Sequence, residues 1–249
     1  MNANVELPHT DRTRHPMRWP LRILRPLARF LLRRRYRITV HHGDRVPRTG
    51  PVLFASNHVG VFDGPLLAIF SPRPVHALTK EEMFEGLMGG VLRFSGQVSQ
   101  DRFHSDPAAV KAALKVLRDG GAVGIFPEGA RGAGDLTRFH RGAAYLAMAG
   151  GTTVVPVTQI GTREPGGHSG SLPRRGARIE LVYGEPIEVP HTPWPRTKDE
   201  VWATSRRLRA HMLTQLRAAL EETGRTLPGP LPAGEREPDP GGGVTEQSR

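Results

Sequence analysis

A histidine and an aspartate stand five residues apart in the segment NHVGVFD, residues 57–63, and could work together as an acid–base pair. Gly60 permits a tight turn, which can return the Asp63 carboxylate to one imidazole nitrogen of His58. The carboxylate would then fix the imidazole tautomer, and the other nitrogen could accept a proton from a bound hydroxyl. The pattern equally fits Asp63 as a helix cap and His58 as an ordinary loop histidine.

A second segment, FPEGARG at residues 126–132, carries groups suited to binding an anion. It follows a predicted buried strand, and open α/β sheets bind ligands at the carboxyl ends of their strands. The guanidinium of Arg131 suits bidentate contact with a phosphate, and the glycines let a ligand approach the main chain. The alternative is a surface turn that holds an ion pair between Arg131 and Glu128.

Predicted strands and helices alternate along the chain and place both segments in loops after strands. We therefore predict an α/β fold with a mixed, mostly parallel sheet flanked by helices, preceded by an N-terminal basic amphipathic helical arm. The predicted strands cover residues 36–42, 51–56, 75–79, 122–126, 153–160 and 178–183. The predicted helices cover residues 64–70, 83–93, 107–119, 142–149 and 198–222.

The positive charge of the chain is concentrated near its N-terminus. Residues 12–43 contain ten arginines and no acidic residue, so they carry +10 of the net +11 and leave +1 on the other 217 residues. Five of these arginines recur at helical spacing among apolar residues, which predicts an amphipathic helix over residues 17–35. Pro20 suits the start of this helix, while Pro26 should kink it or split it into two pieces.

A basic arm points to a polyanionic surface, either lipid or nucleic acid. The interleaved apolar residues favour a membrane interface, whereas no nucleic-acid-binding motif is present. The residues predicted to bind the membrane are Arg18, Trp19, Arg22, Arg25, Arg29, Phe30 and Arg33. Two alternatives remain: a nucleic-acid-binding arm on an inert scaffold, and a core-packing helix whose arginines are merely solvated.

The composition excludes several kinds of protein and suggests four regions. The chain has no cysteine, so it has no disulfide, thiol nucleophile or cysteine-ligated metal. It has no apolar run of about 20 residues, and arginines interrupt the apolar residues that a signal peptide would need. We predict disorder over residues 1–16, the arm at 17–35, one catalytic domain at 36–223 and a disordered tail at 224–249, where eleven of 26 residues are Pro or Gly.

Together the motifs resemble those of the glycerolipid acyltransferases, a family that includes bacterial 1-acylglycerol-3-phosphate acyltransferase. The first family motif is Asn-His, four residues and Asp, as in residues 57–63. The third is Phe-Pro-Glu-Gly-Thr-Arg, which residues 126–131 match except for Ala130. Residues 96–102 keep the glycine and arginine of the second motif, with Ser99 and Gln100 where aromatic and aliphatic residues are usual. Residues 154–157 resemble the fourth, an apolar strand with a proline.

The resemblance implies a role for each matching residue. His58 would be the general base on a glycerol hydroxyl, with Asp63 as its orienting partner. The acyl group would come as a thioester of coenzyme A or acyl carrier protein, with no metal and no cofactor. The residues expected to bind substrate are Asn57, Gly96, Arg102, Glu128, Gly129 and Arg131. Those expected to support the pocket are Phe126, Pro127, Ala130 and Pro156.

The implied reaction converts 1-acylglycerol-3-phosphate, also called lysophosphatidate, into phosphatidic acid in phospholipid biosynthesis. Acceptors that stay open are glycerol-3-phosphate, another lysophospholipid and a lyso-aminolipid; a non-enzymatic polyanion-binding protein is the more distant alternative. The expected partners are the acyl donor, the lysolipid and an anionic membrane surface, without nucleic acid. We expect peripheral attachment to the cytoplasmic face of the plasma membrane.

Overall fold

The computed structural model describes residues 6–235 and 243–244 and joins the predicted strands into one mixed sheet. The strands of this sheet are β1 (Arg37–His41), β2 (Val52–Ser56), β3 (Val75–Lys80), β4 (Val98–Gln100), β5 (Ala122–Ile125), β7 (Thr152–Ile160), β8 (Arg178–Tyr183) and β9 (Ile187–Val189). The short β6 (Phe139–His140) pairs with β10 (Gly243–Val244) outside it.

The order along the sheet is β1-β8-β7-β2-β5-β3-β4, and β9 also pairs with β7. β7, β2, β5, β3 and β4 are parallel neighbours, while β8 and β9 run antiparallel to β7. This confirms the predicted mixed, mostly parallel sheet. The loops after β2, β3, β4, β5 and β7 consequently leave the sheet at one edge, which holds both sequence motifs.

Helices cover both faces of the sheet. They are α1 (Trp19–Ile23), α2 (Arg25–Arg35), α3 (Asp63–Phe70), α4 (Gly86–Phe94), α5 (Pro107–Arg118), α6 (Gly142–Gly150) and α7 (Lys198–Thr223), with short 3-10 helices at Gly43–Arg45 and Glu81–Phe84. α5, α6 and α7 pack in the larger apolar core, while α3 packs in smaller clusters with β1, β2 and β8. These cores fix the strand ends that carry the site.

Local sequence signals set the ends of the two longest domain helices. Asp106 caps α5 by accepting a hydrogen bond from the Ala109 amide at 2.9 Å, ahead of proline at the first helical position. Thr197 and Glu200 form a capping box at the start of α7, and Gly224 ends it with a φ of 61°. These signals explain why both helices begin where the sequence predicts.

The basic arm is split into α1 and α2 at Leu24, next to Pro26, as predicted. The arginine stripe differs from the prediction, because Arg25 is buried and Arg29 is half-buried. Both side chains donate to the main-chain oxygens of Ile69 and Ser71 at the C-terminal end of α3. They satisfy carbonyls that a helix end leaves unpaired and complement its partial negative charge. The assignment of Arg25 and Arg29 to membrane contact is therefore corrected: they dock the arm on the domain.

With those arginines turned inward, α1 and α2 expose their apolar side. α4 extends this apolar surface, since Trp19 packs edge-on against Phe94 with ring centroids 5.1 Å apart. The exposed apolar side chains of this face are Met17, Trp19, Ile23, Leu24, Leu27, Phe30, Leu31, Leu87, Met88, Val91 and Phe94. We call this set the apolar face. Among the described residues, no helix is both long and apolar enough to cross a bilayer.

Residues 6–16 and 224–235 lie outside the predicted catalytic domain but pack against it. Arg196 donates to Glu6 and to the Leu7 carbonyl, and Arg118 donates to Thr10 at 3.1 Å. Residues 6–16 thus differ from the predicted disorder because arginines of the domain satisfy their polar groups. Residues 224–235 also contact the domain, and Leu227 packs against the main core. The rest of the two predicted disordered regions lies outside the described residues, apart from Gly243–Val244.

Candidate active site

His58 and Asp63 meet at the edge of the sheet just after β2. The His58 Nδ1 atom lies 2.7 Å from the Asp63 Oδ2 atom. The same oxygen accepts the amides of Val59 at 2.7 Å and Gly60 at 2.9 Å, so the turn wraps around the carboxylate. Asp63 is 0% exposed, whereas the His58 side chain is only partly buried. The pair therefore combines a fixed carboxylate with an imidazole that solvent or substrate can reach.

This geometry determines which imidazole nitrogen can act as a base. The Asp63 Oδ2 atom accepts hydrogen bonds from two main-chain N–H groups. A carboxylate oxygen can only accept, so His58 Nδ1 is the donor in its contact with the same oxygen. The proton of the neutral imidazole then sits on Nδ1, and Nε2 carries the lone pair. A hydroxyl placed at Nε2 could lose its proton there, and Asp63 would stabilise the resulting imidazolium.

The second motif loop holds the main chain of His58 from both sides. The His58 amide donates to Glu128 Oε1 at 2.8 Å, and the Gly132 amide donates to the His58 carbonyl at 2.9 Å. The Phe126 ring stacks on the imidazole with centroids 4.1 Å apart and planes inclined by 24°. Neither of these two hydrogen bonds involves the imidazole itself. The two motifs are thus one structural unit that orients one side chain.

Glu128 has a different role from the substrate contact predicted for it. Its side chain is buried, and burial raises its pKa well above the ordinary value, although the hydrogen bond from the His58 amide acts in the opposite direction. The carboxyl oxygen faces the main chain of the catalytic loop. This corrects the prediction, because Glu128 fixes the main chain of His58 and does not face a ligand.

Glu128→Gln is expected to keep the fold and to change how stability depends on pH. Because the pKa of Glu128 is raised in the folded protein, its stabilising contribution is present below pH 4.5 and is lost as the pH rises through the folded value. The glutamine oxygen can still accept the His58 amide without this pH dependence. Glu128→Ala should instead lower the free energy of unfolding by about 1–3 kcal/mol, since it leaves the amide unpaired.

Urea unfolding of the three proteins over a pH series measures both effects. Glu185→Gln serves as the control, since Glu185 lies on the surface in an ion pair with Arg45. Equal pH slopes for wild type and Glu128→Gln would contradict the assignment.

Two arginines lie at the same edge of the sheet: Arg131 belongs to the second motif loop, and Arg102 contacts this loop from the end of β4. Arg102 follows β4 and donates to the Gly129 carbonyl at 2.8 Å. Arg131 follows β5 and donates to the Ser169 carbonyl at 3.2 Å. Gly129 has a φ of 70°, in the left-handed region that favours glycine, and this turn aligns its carbonyl with Arg102. Both guanidinium groups therefore lie at the loop that braces His58.

Asn57 does not face a ligand, which corrects its assignment to substrate binding. It is 2% exposed, and its amide group pairs reciprocally with the main chain of Gln159. Asn57 Nδ2 donates to the Gln159 carbonyl at 3.1 Å, and the Gln159 amide donates to Asn57 Oδ1 at 2.8 Å. This pair joins the end of β2 to the end of β7 and so anchors the first residue of the catalytic loop.

Gly96 is also a structural residue, and its assignment to substrate binding is corrected. Its φ of 69° is in the left-handed region, and a Cβ there would collide with the main-chain oxygen of Met17. Its carbonyl lies 2.6 Å from His76 Nδ1. Burial lowers the pKa of His76 to about 4, so the ring is a neutral donor to this carbonyl. Gly96 therefore forms the turn before β4.

The residues predicted to support the pocket lie beneath the loop or in the sheet. Pro127 is buried, and its carbonyl accepts the His140 amide at 2.7 Å, which fixes the loop to β6. Ala130, where the family motif has threonine, is buried in the loop. Pro156 pairs with Ala55 in the centre of the sheet. These residues, with Phe126 against the imidazole, shape the loop from within.

Sequence reasoning missed Gln159, Ser169 and Arg163, which complete the site. All three belong to the end of β7 or to the loop that follows it, at the same sheet edge as the motifs. The position of β7 between β8 and β2 is what brings them there, and Arg163 could have been suspected from this placement. The described residues contain no group of three or more His, Asp or Glu side chains that could hold a metal ion.

The fold and the site define an α/β enzyme that places an aspartate-held histidine and two arginines at one edge of a parallel sheet. A family model described as Acyltransferase matches residues 37–159, a range that includes every residue of the two motifs. Over these 123 of its 249 residues, the chain is similar to this acyltransferase family.

Relatives in several organisms share this region. A Bacillus subtilis protein named 1-acyl-sn-glycerol-3-phosphate acyltransferase is 28% identical over 152 residues, which cover 60% of this chain and 73% of that protein. A Borreliella burgdorferi protein of the same name is 34% identical over 131 residues, 51% of this chain and 52% of its own length. A human protein, 1-acyl-sn-glycerol-3-phosphate acyltransferase beta, is 32% identical over 126 residues, 49% of this chain and 45% of its own. The chain thus spans about half of the last two relatives.

The fold also matches a solved structure. The crystal structure of the 1-acyl-sn-glycerophosphate (LPA) acyltransferase PlsC from Thermotoga maritima superposes with a TM-score of 0.60. The match covers 82% of this chain and 80% of that one at 20% sequence identity. At this identity the likeness establishes the fold.

Proposed function

We propose that this chain transfers a fatty acyl group from the thioester of coenzyme A or acyl carrier protein to the free hydroxyl of 1-acylglycerol-3-phosphate, giving phosphatidic acid. The observation that carries the proposal is the 2.7 Å contact between His58 Nδ1 and Asp63, which leaves Nε2 to accept a proton. The names of the relatives in Bacillus subtilis and Borreliella burgdorferi support the choice of acceptor.

The reaction follows from the orientation of the imidazole. His58 Nε2 takes the proton of the acceptor hydroxyl as its oxygen attacks the thioester carbonyl carbon. The tetrahedral intermediate then collapses with cleavage of the carbon–sulfur bond. The leaving thiolate takes up the proton from the imidazolium, so the products are an ester and a free thiol. Asp63 holds the ring throughout and stabilises its charged form.

The acceptor phosphate would bind between Arg102 and Arg131. Both side chains are partly buried beside the loop that braces His58, where a phosphate would be shielded from bulk water. Each already donates to a main-chain carbonyl, which orients its guanidinium. Guanidinium groups bind phosphate through paired, charge-assisted hydrogen bonds. The favoured acceptor is therefore a lysolipid with a phosphomonoester.

Arg131→Ala is expected to raise the acceptor KM by about 10- to 100-fold, the worth of one hydrogen bond to a charged group. The KM for the thioester should stay unchanged, because Arg131 is proposed to bind the acceptor and not the acyl donor. Steady-state kinetics with varied lysophosphatidate measures this split. Arg206→Ala is the matched control, since Arg206 is exposed on α7. A fall in kcat alone would contradict the phosphate role.

The proposed function is tested by thiol release from palmitoyl-coenzyme A with a panel of acceptors. The panel contains lysophosphatidate, glycerol-3-phosphate, lysophosphatidylcholine and a lyso-aminolipid, together with a no-acceptor control. We expect the highest kcat/KM with lysophosphatidate. A preference for a lipid without a phosphomonoester would reject the proposed acceptor, and the absence of acceptor-dependent release would reject the transfer.

We further propose that the apolar face holds the protein on the cytoplasmic surface of an anionic membrane. Leu87 is 94% exposed, and with the other exposed side chains of the apolar face on α1, α2 and α4 it offers apolar surface that water solvates poorly. Arg22, Arg33 and Arg34 are exposed at its border and can meet lipid phosphates. An interfacial helix pair with this distribution would lie along the surface, at the level where lysolipids reside.

Replacing Leu27, Phe30 and Leu31 together by serine is expected to lower vesicle partitioning by 100-fold or more, at roughly 1.5–3 kcal/mol per buried side chain. Flotation with vesicles containing phosphatidylglycerol measures this binding. Leu172→Ser is the control, because Leu172 is similarly exposed outside the apolar face. These substitutions leave Arg25 and Arg29 in place, so the arm stays docked. Unchanged flotation of the triple variant would contradict the membrane role.

A further inference from the structure

We propose that residues 224–235 form a strap that positions the two loops of the active site, with Arg163 and Glu235 as its positioning residues. The effect expected on catalysis rests on the proposed function, whereas the effect on loop order does not. Neither residue touches the catalytic pair directly. Each acts through main-chain atoms of the loops that carry the site.

Arg163 joins the strap to both motif loops. Its side chain is 2% exposed, and it donates Nε to the Val59 carbonyl at 2.8 Å and Nη2 to the Gly132 carbonyl at 3.0 Å. The same Nη2 donates to the Gly229 carbonyl of the strap at 2.5 Å. Val59 follows His58, and the Gly132 amide holds the His58 carbonyl. A buried guanidinium needs these acceptors, so the strap carbonyl completes the set that keeps Arg163 in place.

Glu235 holds the loop after β7 from the other end of the strap. Its Oε1 atom accepts the Ser169 amide at 3.0 Å and the Ser169 hydroxyl at 2.9 Å. Its Oε2 atom lies 2.7 Å from His168 Nδ1. Ser169 is buried, so one carboxylate clamps a loop residue whose main chain faces the site.

The Ser169 carbonyl connects Glu235 to the active site through two hydrogen bonds. It accepts the amide of Val61, in the loop between His58 and Asp63, at 2.9 Å. It also accepts the guanidinium of Arg131 at 3.2 Å. One carbonyl therefore links the catalytic loop to the proposed phosphate ligand, and Glu235 fixes that carbonyl through the amide and hydroxyl of the same residue.

The strap is more than a surface tail that rests on the domain. Leu227 packs against the main core ahead of Gly229 and Glu235, so an apolar contact fixes its course. Its contacts with Arg163 and Ser169 are made with buried groups of the loop after β7. Release of Glu235 should thus loosen the loops before it affects the sheet, because the strap adds no strand or core helix.

Hydrogen exchange of the full chain with the single substitution Glu235→Ala tests whether the strap keeps the two motif loops ordered. We expect amide exchange within residues 57–63 and 126–132 to accelerate about 10-fold or more, since the hydrogen bonds of Ser169 to a charged group are lost. Exchange within α5, residues 107–118, should not change. Glu185→Ala is the control for loss of a carboxylate. Unchanged exchange in the loops, or equal acceleration in α5, would overturn the inference.

The kinetic measurement distinguishes positioning from general stability. We expect Glu235→Ala to raise the acceptor KM about 10-fold and to leave the thioester KM unchanged, since the Ser169 carbonyl orients Arg131. Glu235→Gln should recover part of the loss, because its oxygen can still accept from Ser169. An unchanged acceptor KM in both variants, with transfer by wild type intact, would overturn the proposed coupling. If wild type transfers no acyl group, the proposed function fails, while hydrogen exchange still decides whether the strap orders the loops.

Discussion

His58→Ala is expected to lower kcat for acyl transfer by about 10²- to 10⁴-fold, the range of effects found for general bases. Without the imidazole, the acceptor hydroxyl would have no Nε2 atom to take its proton. The fold should survive, because the two hydrogen bonds that anchor this residue involve its main chain. Acceptor and thioester KM should change little, since the loss lies in the transition state.

The measurement is steady-state acyl transfer together with circular dichroism and thermal unfolding. His42→Ala is the matched control, because His42 also pairs with a carboxylate, that of Glu222 at 3.0 Å. It follows β1, whose C-terminal end lies at the opposite edge of the sheet from the site. Substantial turnover by a folded His58→Ala protein would reject His58 as the base.

Asp63→Asn is expected to lower kcat by about 10²- to 10⁴-fold, because an amide cannot hold the imidazole in the required tautomer as a carboxylate does. Asp63 Oδ2 accepts three donors, and Oδ1 is buried without a hydrogen-bond partner among the described residues. If the amide oxygen keeps the three donors, its NH₂ group is buried unpaired. If the amide is flipped, its NH₂ group meets the donors.

Either orientation should also lower the free energy of unfolding by about 1–3 kcal/mol. Kinetics and urea unfolding of the same preparation measure the two losses. Glu222→Gln, the carboxylate partner of His42, controls for loss of a surface ion pair. Wild-type activity in Asp63→Asn would show that the carboxylate does not orient the base, and a loss of stability alone would leave it a purely structural residue.

The catalytic pair and the sheet could be predicted because their determinants are local. The spacing of His58, Gly60 and Asp63 encodes the turn, and the alternation of apolar runs encodes the parallel sheet. The strand β4, which precedes Arg102, was not among the predicted strands, so the convergence of Arg102 with the loop around Glu128 was expected only from the family resemblance. The strand at residues 178–183 was predicted without its antiparallel direction, since periodicity does not give strand direction, and the three-residue β9 was not predicted.

The errors concern polar side chains whose partners are distant in sequence. Asn57 is matched by Gln159 about a hundred residues later, and Arg25 by the end of α3. In both cases the sequence shows a polar residue but not the main-chain group to which its side chain is hydrogen-bonded. The charged stripe of the arm was predicted to face outward, whereas two of its arginines, Arg25 and Arg29, donate to main-chain carbonyls of the domain.

The contacts of the C-terminal segment, residues 224–235, could not be predicted either, because their partners are also distant in sequence. Its Pro and Gly content favours disorder, and no local signal distinguishes Gly229 or Glu235 from solvated residues. Their contacts arise because the loop after β7 offers a buried guanidinium and a buried serine. Prediction from composition omits such complementarity, which exists only after the sheet has formed.

In the proposed reaction, His58 activates an acceptor hydroxyl for attack on a thioester. This role is tested by mass spectrometry of the lipid product after wild-type protein is incubated with palmitoyl-coenzyme A and 1-oleoyl-glycerol-3-phosphate, beside the same reaction with His58→Ala. We expect one equivalent of phosphatidate per thiol released by wild type, with almost none from the variant. Thiol release without phosphatidate, or equal phosphatidate from both proteins, would contradict it.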